Sequence, residues 1–176
     1  MYLHMQEVIR LHWTKEIEAE WTRNVVKAHG ADSQDIQDCL LGMRDAVPGW
    51  EVLGYKRYES QFSGVEAKDQ HVAAAAYKLA LDEGSGQAVA LVTKNVSDFP
   101  ANAFTGTTVL RYILSGYLTE LHKESPNEML LVFEACRGKL KNPTLDKPAY
   151  IEVLRRHGCK DLAAAVEKQW GLLPKA

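Results

Sequence analysis

The sequence predicts an α/β fold in which a short parallel sheet is covered by helices, followed by an all-helical C-terminal part. Residues 72–81 are apolar nearly all round and rich in alanine, which is typical of a buried helix lying flat on a sheet. Residues 88–92 form a short apolar run without alternation, which predicts a parallel strand covered on both faces. Beyond these residues the apolar periodicity is that of consecutive helices. We therefore expect an α/β domain over residues 1–111 and a helical extension over 112–176.

Composition sets the class of the protein. The chain has 176 residues, of which 46% are hydrophobic and 25% charged, as in an ordinary globular domain with an appendage. The net charge of -2 excludes a strong overall basic field, so a nucleic acid would have to be met by a local patch. The three cysteines lack metal-ligand spacing, which indicates free thiols in a reducing compartment. Without a long apolar run or a signal-peptide pattern, the expected location is the cytoplasm, and no membrane partner is expected.

Most helix ends can be predicted from capping patterns in the sequence. Thr14 and Gly30 are the predicted N-cap and C-terminal stop of one helix. Ser125 and Glu128 form a capping box with Pro126 at the first helical position, and Asp146 is predicted to cap a later helix. The predicted elements are a helix tail over 1–10, strands at 11–13, 50–54, 88–92 and 107–110, a turn at 84–86, and helices at 15–29, 33–47, 72–81, 111–123, 126–140, 147–157 and 161–170.

Two stretches carry cationic side chains whose role the pattern leaves open. Residues 55–65 mix basic and aromatic residues, which suits a mobile loop that binds single-stranded nucleic acid at the mouth of a site. A surface connection with an aromatic side chain tucked inward explains the same stretch equally well. The C-terminal part holds basic residues that suit either a phosphate backbone or an acidic partner, or simply a solvated face: Lys139, Lys141, Lys147, Arg155, Arg156 and Lys160.

Two aspartates mark the candidate site. Asp69 precedes the alanine-rich helix, where a helix N-cap is the simplest explanation, and Asp98 precedes Phe99 and Pro100, where a turn is. Taken together they put two carboxylates at one end of one sheet, past the carboxyl end of the 88–92 strand. Such a pair is a candidate hard-metal site, because Mg²⁺ is held by one or two carboxylates with water and phosphate oxygens.

These segments resemble a known family. The run Asp69-Gln-His-Val-Ala-Ala-Ala, followed by Thr93-Lys-Asn-Val-Ser-Asp-Phe-Pro100, is similar to the third and fourth acidic motifs of PIN-domain nucleases, the fold of VapC-type toxins. Upstream, the run Leu11-His-Trp-Thr-Lys-Glu-Ile-Glu-Ala-Glu-Trp-Thr-Arg-Asn24 resembles the second motif, a strand leading into a helix that carries an acidic glutamate. The similarity is greatest to the bacterial branch with a small helical C-terminal extension.

The resemblance implies a PIN-like three-layer fold and a metal-dependent endoribonuclease of the toxin–antitoxin type. Glu20, Asp69 and Asp98 would be the catalytic residues and would hold Mg²⁺ or Mn²⁺. Thr93 and Asn95 would hydrogen-bond to a ligand carboxylate or to a metal-bound water. The partners implied are an RNA substrate and a cognate antitoxin, and a homodimer is a further candidate. Helical periodicity does not decide between Glu18 and Glu20, which flank the apolar stripe on opposite sides; the family pattern selects Glu20.

Two expectations qualify this site. His71 is expected to be a packed, hydrogen-bonded histidine rather than a general base, because metal-bound water needs no separate base. The family's first strand, which ends in the first acidic residue, has no counterpart before Leu11, so the strands at 11–13 and 50–54 are expected to lack a neighbour joining them to the others. A sequence that starts too late, a strand supplied by another chain, and a toxin that no longer cuts RNA all remain open. In the last case the chain would be a catalytically incomplete PIN remnant that binds antitoxin or RNA.

Overall fold

A computed structural model of the chain describes residues 1–30, 32–84 and 86–172. Ser85, in the turn expected at 84–86, lies outside the described residues. Within those ranges the chain is mostly helical with one short sheet. The α-helices are α1 (Tyr2–Met5), α2 (Lys15–His29), α3 (Ser33–Ala46), α4 (Gln70–Glu83), α5 (Leu114–Glu124), α6 (Pro126–Lys139), α7 (Lys147–Arg156) and α8 (Lys160–Gln169), and the strands are β1 (Val89–Val92) and β2 (Val109–Tyr112). Short 3-10 helices occur at Lys56–Phe62, Ala67–Asp69, Val96–Asp98 and Ala101–Phe104.

The chain forms two compact units. The first is built from Leu11–Tyr112, and it contains both strands. The second combines Tyr2–Arg10 with the chain from Ile113 onward. Residues 2–10 thus pack with helices that lie more than a hundred positions away in sequence.

The sheet consists of β1 and β2, which pair in parallel from Val89 opposite Val109 to Val92 opposite Tyr112. This confirms an α/β fold with a short parallel sheet. Val89 and Leu91 are buried in the same core as the alanines of α4. On the opposite face Val92 is 39% exposed. The prediction that both faces are covered is therefore wrong, since α4 packs on only one of them.

The predicted strands at 11–13 and 50–54 are reduced to one isolated parallel bridge between Trp13 and Glu51. The Trp13 N–H donates to the Trp50 carbonyl oxygen at 2.9 Å, and the Val52 N–H donates to the Trp13 carbonyl oxygen at 3.0 Å. The indole rings of Trp13 and Trp50 stack with centroids 4.9 Å apart. The bridge does not belong to the β1–β2 sheet, as expected for segments without a joining strand.

The core of the first unit forms around α4. Ala73 and Ala74 are fully buried, and their small side chains let the helix lie close to its neighbours. The 3-10 helix Lys56–Phe62 packs against α4, with the Phe62 ring 5.8 Å from the Tyr77 ring in an edge-on contact. Of the two interpretations of residues 55–65, the inward-packed one is observed.

Helix ends agree with the capping patterns in most places. The Ile17 N–H donates to Thr14 Oγ1 at 3.1 Å, and the Ala149 N–H donates to Asp146 Oδ1 at 2.8 Å. Gly30 ends α2 with φ of 58°, in the left-handed region that glycine adopts without steric cost. Ser125 precedes α6 as predicted, but its side chain makes no capping hydrogen bond, so the predicted capping box is wrong in that detail.

A buried ion pair ties α2 to α3. The Glu18 side chain is 5% exposed and one of its oxygens accepts from Arg44 Nη2. The Arg44 guanidinium also lies over the Trp50 ring, 5.5 Å from its centroid. Arg44 therefore neutralises a carboxylate that is almost out of water and packs on the tryptophan pair.

We expect Arg44→Met to destabilise the protein by about 2 kcal/mol, because it leaves the Glu18 carboxylate buried without its cation while keeping most of the side-chain volume. The measurement is urea unfolding followed by tryptophan fluorescence. Lys15→Met is the matched control: Lys15 is 72% exposed and 3.6 Å from Glu51, so the loss should stay below about 0.5 kcal/mol. Equal stability of the Arg44→Met variant and the wild type would contradict this account.

The second unit has a separate core formed by α5 to α8. Met129, Ile151 and Leu162 are almost completely buried. Leu3, Val8 and Ile9 of the N-terminal segment pack against the same core. Among the described residues, no helix has both the length and the apolar content needed to cross a membrane.

Candidate functional site

Asp69 lies where the 3-10 helix Ala67–Asp69 meets α4. It occupies the N-cap position that the sequence predicts, yet its side chain accepts no capping hydrogen bond. Its backbone (φ -106°, ψ -4°) is not in the extended conformation typical of a capping residue. The carboxylate, in a side chain that is 22% exposed, is left available for other partners.

Asp98 ends the 3-10 turn Val96–Asp98 that follows β1. This turn is held by backbone contacts: the Asp98 N–H donates to the Asn95 carbonyl oxygen at 3.0 Å. Thr93 Oγ1 accepts from the Asn95 N–H at 3.2 Å. Arg111 of β2 donates to the carbonyl oxygen of Phe99 and anchors the next residue of the loop. Thr93 and Asn95, predicted to support the acidic site, here shape the backbone that presents Asp98.

Glu20 and Glu18 have different surroundings on α2. Glu18 is engaged with Arg44 in the interior, whereas Glu20 points toward α4, where its Oε1 lies 3.5 Å from His71 Nε2. Arg23 Nη2 is 4.0 Å from the same oxygen on the exposed side. The glutamate directed toward α4 is therefore Glu20, the one selected by the family pattern.

The three acids share one electrostatic field. Burial raises the pKa of the Asp69 carboxyl above its ordinary value, and the charges of Asp98, Glu66 and Glu20 raise it further. The nearby Lys68 ammonium acts in the opposite direction. Asp69 at the start of α4 is thus close enough to carboxylates from α2 and from the turn after β1 for them to disfavour its charge.

Two charged neighbours were not identified from the sequence as part of the site. Lys68 Nζ lies 2.9 Å from Glu66 Oε2 and 3.9 Å from Asp69 Oδ2. The hydrogen bond to Glu66 is the main reason that the pKa of Lys68 is raised, and Asp69 and Asp98 contribute to the same effect. The run Glu66-Ala-Lys68-Asp69 was the available indication, because residues three positions apart at the start of a helix lie on one face.

His71 was expected to be packed and hydrogen-bonded. It is packed, with 5% of its side chain exposed, but neither ring nitrogen makes a hydrogen bond. Nε2 is near Glu20 Oε1 without the distance and alignment of a hydrogen bond. The expectation of a satisfied core histidine is therefore wrong in this respect.

The carboxylates suit a hard divalent cation in their chemistry, since they are the ligands that Mg²⁺ prefers and their mutual repulsion would be relieved by a positive ion. In the described ranges, no three His, Cys, Asp or Glu side chains are gathered closely enough to hold one ion together. Mg²⁺ is commonly bound by one or two carboxylates while waters and phosphate oxygens complete its shell. That mode needs no more than two of the acids, so it does not require three donors gathered around one ion.

A shallow cavity of about 240 Å³ lies at the opposite end of α4 from Asp69. Its lining is uncharged and consists of Tyr77, Ala80, Leu81, Gly84, Gly106, Thr107 and Thr108. It contains none of the acids and offers no group for phosphate chemistry. The acidic site therefore remains the candidate that carries chemistry.

The C-terminal helices provide the decisive comparison with known proteins. Residues 116–168 match the VapC50 C-terminal domain family. This match supports a VapC-type chain. No curated protein and no solved structure is significantly similar to the sequence.

The VapC50-type segment begins within α5 and ends within α8, so it covers most of the second unit's helices. Part of its basic charge is used internally: Arg155 contacts Glu152 and Glu167, and Lys147 Nζ is 2.8 Å from Glu134. Of the six basic residues singled out in the sequence, Lys139, Lys141, Arg156 and Lys160 are exposed. These four are therefore accessible to a phosphate backbone or an acidic partner.

Proposed function

We propose that this protein is a toxin of the toxin–antitoxin type and acts as a metal-dependent endoribonuclease in the cytoplasm. The VapC50-type segment supports association with a cognate antitoxin. The observation that carries the nuclease proposal is that Glu20 of α2 lies 3.5 Å from His71, two residues after Asp69, while the charges of Asp98 and Glu20 raise the pKa of Asp69. The proposal includes RNA as the substrate, an antitoxin that covers the acids, and a homodimer as the assembly.

Each acid has a distinct part in the proposed site. Burial raises the pKa of Asp69, so a cation would stabilise its carboxylate, and we assign it as the primary ligand. Asp98 and Glu20 supply the second ligand or hold the ion's waters. A bound Mg²⁺ or Mn²⁺ would supply an activated water and neutralise charge on the phosphodiester. Lys68 is 66% exposed beside Glu66 and Asp69, and its ammonium group would form an ion pair with a phosphate of the bound RNA.

The test is cleavage of an end-labelled single-stranded RNA with Mg²⁺, with Mn²⁺ and with EDTA. We expect cleavage only with metal, and a loss of about 10²-fold in Glu20→Gln. Glu16→Gln is the matched control on the same helix, because the Glu16 carboxylate accepts from the Tyr55 hydroxyl at 3.0 Å and does not act on Asp69. It should retain activity within about threefold. Equal losses in both variants would contradict the site.

A second candidate function is a catalytically incomplete module that binds antitoxin or RNA. Two observations favour it: no three-donor metal group occurs in the described part of the chain, and the Trp13–Glu51 bridge is not joined to the sheet. RNA binding measured by fluorescence anisotropy, in the absence of cleavage under any divalent metal, would select this function. Metal-dependent cleavage by the wild type would exclude it.

A further inference from the structure

His71 is the unusual member of the acidic site. Its imidazole is nine-tenths buried on α4, and buried polar atoms almost always have a hydrogen-bond partner. Neither of its ring nitrogens has one. The nearest acidic oxygen is Glu20 Oε1, 3.5 Å from Nε2. A shift of about 0.5 Å would bring that contact into the range of a normal N–H···O hydrogen bond.

We propose that His71 is a positioning residue that holds the Glu20 carboxylate toward the aspartates by donating a hydrogen bond from Nε2–H. The role assigned to it in metal binding rests on the proposed function, whereas the contact itself does not. The donor comes from a rigid, buried helix face, so it can fix the acceptor without losing conformational freedom of its own.

Glu20 needs such a partner. Its side chain is 38% exposed and has three rotatable bonds, and Arg23 on the solvent side competes for the same oxygen from 4.0 Å. Arg23 is itself 69% exposed, so its pull is weak and screened. Without His71 the carboxylate would sample orientations away from Asp69. A contact that selects one orientation reduces the entropic cost of capturing a cation.

This assignment requires one tautomer. If the proton is on Nε2, the ring donates to Glu20; if it is on Nδ1, the nitrogen facing Glu20 has no hydrogen and repels the carboxylate. The position of the proton is therefore a direct readout, and it is independent of any activity.

The first measurement is the ¹⁵N spectrum of the His71 ring in the full chain, without metal, at a mildly alkaline pH where an ordinary imidazole is neutral. We expect the Nε2–H tautomer, and a change in the Nε2 resonance in Glu20→Gln. An Nδ1–H tautomer would overturn the proposal.

The second measurement is Mn²⁺ affinity by electron paramagnetic resonance. His71→Leu should weaken binding by about 10–100-fold, whereas His71→Gln, whose amide retains a donor near the position of Nε2, should stay within about threefold of wild type. His122→Gln is the matched control, a buried histidine of the second unit with Nε2 2.7 Å from Gln169 Oε1. Unchanged affinity in His71→Leu would overturn the positioning role.

The two measurements separate the possible failures. Should the wild type bind no Mn²⁺ while His71 carries its proton on Nε2 and responds to Glu20→Gln, the nuclease proposal fails and the contact stands. Should Mn²⁺ bind equally well to all variants, the metal site stands and the role of His71 is refuted.

Discussion

Asp69→Asn should lower the rate of RNA cleavage by about 10³-fold or more, equivalent to about 4 kcal/mol of transition-state stabilisation. Asparagine keeps the size of the side chain but removes the negative charge that would hold the cation. The rate is measured under single-turnover conditions with labelled RNA. Asp82→Asn is the matched control: Asp82 lies at the other end of α4 and is 53% exposed beside Lys78, so its loss should leave the rate within about threefold.

Asp69→Asn should also unfold at a higher urea concentration than the wild type at neutral pH. Burial and neighbouring carboxylates raise the pKa of Asp69 in the folded state, so the charged form is penalised there and the penalty disappears with asparagine. A gain of about 1 kcal/mol is expected, the usual size for optimising an unfavourable charge. Asp82→Asn should show no such gain, since it removes a partner of Lys78.

The pH dependence of this gain has a definite sign. Between the ordinary aspartate pKa and the raised folded pKa of Asp69, the folded wild type binds more protons than the unfolded chain. Its stability therefore falls as pH rises through that window, and the deficit is complete above the raised pKa. The advantage of Asp69→Asn should be present at neutral pH and vanish below the ordinary aspartate pKa. A variant that is inactive but less stable at neutral pH would show that Asp69 is structural.

Leu162→Ala should destabilise the second unit by about 3 kcal/mol. Leu162 is 1% exposed in the core formed with Met129 and Ile151, and truncation leaves a cavity in a tightly packed interior. Urea unfolding followed by circular dichroism, with hydrogen exchange of α5 to α8 amides, measures the loss where it occurs. Leu131→Ala on α6 is the control, because a side chain that is 61% exposed should cost less than about 1 kcal/mol. Similar losses in both variants would contradict the assigned core.

The helix ends could be predicted because their determinants are local. Thr14 and Asp146 satisfy backbone N–H groups three residues ahead, and Gly30 supplies a left-handed residue, all within a few positions of chain. The start of α3 was also predicted correctly: Ser33 is its first residue, and the Asp32 side chain before it accepts from the Gln34 N–H at 2.7 Å.

The strands were less predictable because a strand exists only where a partner completes its hydrogen bonds. The segments Val89–Val92 and Val109–Tyr112 pair as parallel strands, whereas the apolar segments around Trp13 and Trp50 form a single bridge. The open face at Val92 has the same origin, since no local feature tells a strand which of its faces a helix will cover.

The sequence alone determined the helical C-terminal part, the buried alanine-rich helix, the aspartate before that helix and the aspartate after the first strand, because these depend on periodicity and on neighbours a few residues apart. Tertiary structure decided that Arg44 takes Glu18 into the interior, that Glu20 turns toward His71, and that the carboxyl of Asp69 lies in the field of both other acids. Those contacts join segments 26 or more positions apart, between Glu18 and Arg44 at the nearest. Charge, burial and distance at such separations arise only once the chain has packed.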